Sequence, residues 1–288
     1  MPAGPSSSFS SSTLFKATIL TLAFTSIYYN KTGSFTLFWQ QKPNSKQSFT
    51  KAPIITKKKI VKKKKTIYLT FDDGPCRGTK TVLTILKNNH VPATFFVIGE
   101  HVKGSSLQAD IYDSLKASAY AEIANHSYTH AQHNNYAKYY SLPDTVVKDF
   151  NKAADTLQLQ SNITRTPGRN IWRTATVTDT DIKASKAAGD SLYKNGYSVV
   201  GWDVEWHYNS NQTLLQNEVQ MYNDIDSVLT YQKTKTPNHV VLLTHDRTFA
   251  KPDDSVKLQK LLEHIIDKNE YNFEIVSNYP QLKKDSIY

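Results

Sequence analysis

From Thr66 onward the sequence alternates short apolar strand patterns with helical patterns, and this recurrence limits the possible fold more than any other feature. Strand patterns cover 67–71, 93–98, 122–125, 163–165, 198–204, 240–244 and 273–276, with helical patterns such as 80–87 and 255–267 between several of them. Strand followed by helix, repeated, predicts an α/β fold around a parallel sheet. No internal repeat with a period of 20–50 residues is present to suggest a solenoid instead. Barrels of this class carry their chemistry on loops at the carboxyl ends of the strands. The chain's paired acids and histidines fall at those positions.

The segment before the domain has a different composition. Residues 1–66 hold 12 lysines and no acidic residue, which leaves 23 basic against 25 acidic residues over 67–288. The net charge of +10 therefore belongs to the leading segment and the folded part is nearly neutral, which argues against a nucleic-acid-binding domain. Residues 31–65 read as a basic linker, since seven lysines between Lys57 and Lys65 repel one another and lack apolar periodicity. Such a linker suits an anionic membrane or cell-wall surface. Residues 17–30 are uncharged and largely apolar, so 1–30 reads as a signal peptide or an N-terminal membrane anchor, and an exported protein is expected. The single cysteine, Cys76, excludes an internal disulfide and a four-cysteine zinc site.

Two motifs in the domain carry chemistry. The first strand pattern runs into Thr70-Phe71-Asp72-Asp73-Gly74-Pro75. Adjacent strand residues point apart, so one carboxylate can bind a cation while the other, aimed elsewhere, takes a proton from an activated water. After the third strand pattern comes His126-Ser127-Tyr128-Thr129-His130, whose spacing in a helical turn puts both imidazoles on one face. A carboxylate from elsewhere would complete a two-histidine, one-carboxylate site with positions open to water or substrate.

With these motifs the sequence resembles the NodB-type polysaccharide deacetylases, carbohydrate esterase family 4. Besides 70–75 and 125–130, the stretch 93–99 resembles the family's second strand. Arg165-Thr166-Pro167-Gly168, Trp202-Asp203-Val204-Glu205-Trp206 and Leu243-Thr244-His245-Asp246 resemble its later motifs in order and spacing. The resemblance implies that 66–288 forms a distorted (β/α) barrel of seven or eight strands that removes N-acetyl groups from amino sugars of a polysaccharide. It implies a divalent ion, Zn²⁺ foremost with Co²⁺ able to substitute, on Asp73, His126 and His130. Asp72 would be the general base, Arg165 its orienter and His245 the general acid. Gly168, Trp206 and Leu243 would meet the substrate, with the Gly168 N–H stabilising the oxyanion.

Two stretches depart from the family pattern. No aromatic residue stands between Pro167 and Gly168, a place that Trp172 could fill unless it is a core residue. The acids of the fourth motif are Asp203 and Glu205; either could orient His245, and alignment on Trp-Asp-Val favours Glu205. Alternation predicts that these two acids face one way and Trp202, Val204 and Trp206 the other. The expected substrates are peptidoglycan or a poly-N-acetylglucosamine or chitin-like polymer. A catalytically impaired glycan-binding protein and a polysaccharide O-acetyl esterase are the alternatives.

Overall fold

A computed structural model of the protein describes residues 64–280 and 282. The expected targeting segment and all of the basic linker before Lys64 lie outside the described residues. The first strand already includes Lys65, whose ammonium pairs with Asp226 at 3.1 Å, so the last lysine of the expected linker belongs to the sheet.

Among the described residues, ten strands form one curled sheet. They are β1 (Lys65–Gly74), β2 (Ala93–Val97), β3 (Ala121–Asn125), β4 (Ile163–Thr164), β5 (Ile171–Arg173), β6 (Thr178–Thr180), β7 (Ser198–Val199), β8 (Val204–Glu205), β9 (His239–His245) and β10 (Tyr271–Phe273). Their order is β6-β5-β7-β4-β3-β2-β1-β9-β8, with β10 beside the start of β1. All pairings are parallel except those of β5 with β6 and β7. The result is an α/β half-barrel with a mixed sheet. Its strand count exceeds the expected seven or eight because 198–204 splits into β7 and β8 and because β5 and β6 add a hairpin.

The split follows from the route of the chain. Residues 198–205 start beside β4, where the Val200 N–H reaches the Thr164 carbonyl at 2.9 Å. They end beside β9, where Asp203 and Trp206 donate to the carbonyls of Val241 and Leu243 at 2.9 and 2.8 Å. The four residues between β7 and β8 thus cross from one side of the curled sheet to the other, and regular alternation does not survive the crossing.

The longer helices are α1 (Arg77–Asn89), α2 (Ser106–Lys116), α3 (Pro143–Leu157), α4 (Lys186–Lys194), α5 (Glu218–Thr230) and α6 (Pro252–Lys268). In α6 the buried Leu258, Leu261, Leu262 and Ile265 recur at the three- and four-residue spacing of one helical stripe. Its start carries Pro252 with Asp253 and Asp254 in the first turn, where a missing N–H is harmless and negative charge meets the helix dipole. The central strand β1 is buried almost throughout because β2 and β9 flank it, as its continuous apolar run requires. Phe71 stacks on Phe95 and meets Phe249 edge-on, and Trp206 meets Phe249 likewise. Each such ring contributes about 1.5–3 kcal/mol by leaving water.

Register places the chemistry. The β1–β9 ladder runs from Thr66 opposite His239 to Asp72 opposite His245, and the β2–β3 ladder ends at Val97 opposite Asn125. Asp72, His126, Arg165 and His245 therefore all emerge at the carboxyl edge of the sheet. The turn into α1 is pinned there by close approach, since a Cβ on Gly78 would run into the Asp246 carbonyl. Gly78→Ala should consequently lower unfolding free energy by about 1–3 kcal/mol in a denaturant titration, the usual penalty of overpacking; an unchanged midpoint would contradict that contact.

Candidate active site

Asp72 and Asp73 leave β1 where its register with β2 shifts, and Asp73 adopts a φ of 76°. The irregularity lets both adjacent carboxylates line one cavity, where a regular strand would send one of them away. Asp73 is held in this left-handed conformation partly through its carbonyl, which accepts from Nδ1 of His101 at 3.1 Å. Asp72 Oδ1 accepts from Arg165 Nη1 at 2.9 Å.

Arg165 follows β4 and is fully buried. Nη1 also donates to Thr70 Oγ1 at 2.7 Å, while Nε and Nη2 donate to the carbonyls of Val200 and Gly201 at 3.1 and 2.8 Å. The Phe96 ring centre lies 4.1 Å from the guanidinium carbon. Burial lowers the Arg165 pKa from its ordinary value, and the Asp72 carboxylate opposes that pull.

The two imidazoles converge on Asp73. His126 Nε2 lies 3.3 Å and His130 Nε2 3.1 Å from Asp73 Oδ1, and ligand atoms of all three residues fall within 4.8 Å of one another. Nδ1 of His126 donates to the Arg165 carbonyl at 3.0 Å, and Nδ1 of His130 meets Asn134 Oδ1 at 2.6 Å. A carbonyl can only accept, so His126 carries its proton on Nδ1 and turns a lone pair towards Asp73. Asp73 Oδ1 is itself buried without a hydrogen-bond partner. These electron-rich atoms, facing one another, fit a divalent cation, as the sequence led us to expect. Burial pushes the Asp73 carboxyl up, but His126 and His130, joined by His245, hold it well below the usual carboxylate range.

The histidine spacing works differently from the expected shared helical face. Residues 130–134 form a left-handed helical turn with φ between 47° and 70° at every position. The turn is fastened by Thr129, whose Oγ1 accepts from the Gln132 N–H at 2.9 Å and whose carbonyl accepts from the His133 N–H at 2.9 Å. His126 sits before this turn and His130 opens it.

His245 ends β9. Its Nε2 is 3.9 Å from Asp73 Oδ2, its ring meets the Tyr208 ring edge-on at 4.8 Å, and its buried Nδ1 has no hydrogen-bond partner among the described residues. Burial lowers its pKa; Asp73 and Asp72 oppose this and Arg247 adds to it. Neither expected orienting acid reaches it. Glu205 lines the cavity and lies 3.4 Å from His207 Nδ1, with its pKa raised chiefly by burial. Asp203 instead accepts the N–H groups of Lys235 and Val241, each at 2.8 Å, and burial pushes its carboxyl up to about 6.

Residues 59–192 match the family model described as polysaccharide deacetylase. The chain belongs to the polysaccharide deacetylase family. The putative polysaccharide deacetylase YheN of Bacillus subtilis (strain 168) is 28% identical over 190 residues, covering 63% of this chain and 58% of YheN, so the chain spans less than two thirds of that relative. A peptidoglycan-N-acetylglucosamine deacetylase of Bacillus cereus is 27% identical over 219 residues, covering 74% of this chain and 70% of that protein. Among solved structures, a Streptococcus mutans family 4 carbohydrate esterase shares the fold with a TM-score of 0.53 at 21% identity, over 74% of this chain and 86% of that one.

Beside the triad lies a cavity of about 260 Å³ lined by Asp72, Gly168, Trp202, Tyr208, Leu243 and His245, among others. It adjoins a second cavity of about 510 Å³ that shares Asp73, His130, Tyr136 and Arg247. Gly168 has a φ of 61°, and Tyr136 packs so close that no Cβ would fit there. Trp206, expected at the substrate, is fully buried against Phe249 with its indole N–H on the Gln216 carbonyl, while Trp202 lines the cavity in its place. Trp172 is a core residue. Sequence reasoning missed Arg247, Tyr208 and Tyr136; position just beyond a strand's carboxyl end was the available signal for Arg247.

Two measurements follow from the acids near His245. Asp203→Asn puts an amide nitrogen where a backbone N–H needs an acceptor, and should cost about 1–3 kcal/mol in a urea melt. Asp246, one residue beyond His245, is fully buried and accepts from Thr79 and Cys76. Burial raises it from 3.8 to about 7, so the folded chain binds a proton that the unfolded chain has released. Stability should therefore fall as pH rises across that window, and Asp246→Asn should flatten the fall in thermal melts from about pH 4 to 8.

Proposed function

We propose that this chain is a metal-dependent hydrolase that removes N-acetyl groups from N-acetylglucosamine-type units of an exported envelope polysaccharide, either peptidoglycan or a poly-N-acetylglucosamine or chitin-like polymer. The observation that carries the proposal is the convergence of Asp73, His126 and His130 beside an Asp72 that is tied to buried Arg165 and not to the triad's Oδ1. The nitrogen-rich donor set suits Zn²⁺, with Co²⁺ as a substitute. The ion, when bound, supplies a Lewis acid that polarises the acetamide carbonyl and acidifies water.

The chain's own groups do the rest. Asp72 takes the proton of the attacking water, aimed by the Arg165 fork. His245, opposite Asp72 in the β1–β9 ladder, gives a proton to the departing sugar nitrogen. The N–H of Gly168, a cavity-lining residue in a tight turn, serves as the oxyanion donor. Trp202 and Leu243 wall the sugar. The name of the Bacillus cereus relative supports an N-acetylglucosamine unit. Export through residues 1–30, with 31–65 holding the domain near an anionic wall or lipid surface, belongs to the same proposal.

The unpartnered Nδ1 of His245 favours one second reading, a glycan-binding member with impaired turnover. Acetate release from acetylated peptidoglycan, chito-oligomers and O-acetylated xylan, with and without added Zn²⁺ or Co²⁺, separates the readings. Release from the N-acetylated glycans that chelation abolishes and metal restores is expected. Full activity in metal-free protein would remove the proposal, and glycan binding without release would leave the second reading. Asp72→Asn should keep its metal while turnover falls about 10²- to 10⁴-fold, whereas His126→Ala should lose both.

A further inference from the structure

The two oxygens of Asp73 have different partners. Oδ1 faces the imidazole nitrogens of His126 and His130, whereas Oδ2 lies 2.8 Å from Nη2 of Arg247. A charge-assisted hydrogen bond on one oxygen fixes the tilt of a carboxylate and leaves only the other for a cation. The same Nη2 donates to the Tyr208 hydroxyl at 2.6 Å, and the Tyr208 ring carries the edge-on contact to His245. Tyr208 thus touches His245 where the sequence predicted a carboxylate, and where Glu205 and Asp203 are engaged elsewhere.

We propose that Arg247 and Tyr208 are positioning residues of the deacetylase site: Arg247 restricts Asp73 to a single ligating oxygen, and Tyr208 links that arrangement to the imidazole of His245. The inference rests on Asp73 being a metal ligand. It adds two residues to the site, from the loops after β8 and β9, that the family motifs in this sequence do not include.

Charge and position act in opposite directions on metal binding, which makes the test decisive. Removing a guanidinium beside a cation site would by itself tighten the site through lost repulsion, whereas losing the grip on Asp73 Oδ2 loosens it. Full-length protein is stripped of metal and titrated with Zn²⁺ against a chromophoric chelator, then with Co²⁺ to record its visible bands. Arg247→Gln should weaken Zn²⁺ binding about 10- to 100-fold and shift the Co²⁺ bands, with Arg247→Lys recovering part of the affinity. Unchanged or tighter binding in Arg247→Gln overturns the proposal. If that variant does not fold, Arg247→Lys decides: weaker binding with altered bands supports the proposal, and wild-type behaviour overturns it. Tyr208→Ala at saturating metal should lower kcat about tenfold or more, and Tyr208→Phe, which keeps the ring on His245 but loses the hydroxyl that Arg247 holds, should recover only part of it. Equal losses in the two, or none, would overturn the role of the ring. The titration needs no turnover. Failure to deacetylate any glycan therefore counts against the proposed function alone, while a wild-type chain that binds no Zn²⁺ removes both.

Discussion

One buried guanidinium ties the site to the fold. Arg165 joins β1, through Thr70 and Asp72, to the crossing residues Val200 and Gly201, so a single side chain holds both sides of the curled sheet at its carboxyl edge. A charge shut away from water survives only if it is paired and its donors are satisfied, and deleting one partner of such a pair leaves a penalty of about 3–5 kcal/mol. Stability and chemistry therefore share one interaction. The crossing cannot loosen without freeing Asp72, and Asp72 cannot turn away without stranding the arginine.

The local charge tally points the same way. Asp72, Asp73 and Glu205 face Arg165 and Arg247 around the cavity, a small excess of negative charge enclosed by Trp202, Leu243 and two tyrosines. A divalent cation held by Asp73, His126 and His130 would reverse that sign and would supply the positive charge that the proposed reaction needs.

What the sequence made legible was chemistry at strand ends. The apolar run of β1 fixed where Asp72 and Asp73 stand, because a parallel strand buried on both faces leaves a plain hydrophobic signal, and the shorter, half-buried strand before His126 did the same for the imidazoles. The misread residues lie where no regular element exists. The resemblance put Trp206 at the substrate and period-two alternation set Asp203 and Glu205 on one face, yet β8 is only two residues long and 200–203 cross between sheet edges. Asp203 looked like a partner for His245 because a motif cannot reveal that two backbone N–H groups already claim its oxygens. The β5–β6 hairpin, with strands of three residues each and a polar second strand, was too short to register, and Arg247 stood in a short 3-10 turn, Asp246–Ala250, without periodic pattern.

The left-handed turn at 130–134 has a consequence for engineering. L-residues other than glycine lose about 1–2 kcal/mol each by standing in that conformation, and His130, Ala131, Gln132, His133 and Asn134 all do so. The loop therefore holds a reserve of heat tolerance. Glycine at the exposed His133 or Asn134 would relieve that cost, less the extra freedom that glycine gives the unfolded chain, but it would also loosen the turn that carries His130, so durability and aim would be traded against each other along the same five residues.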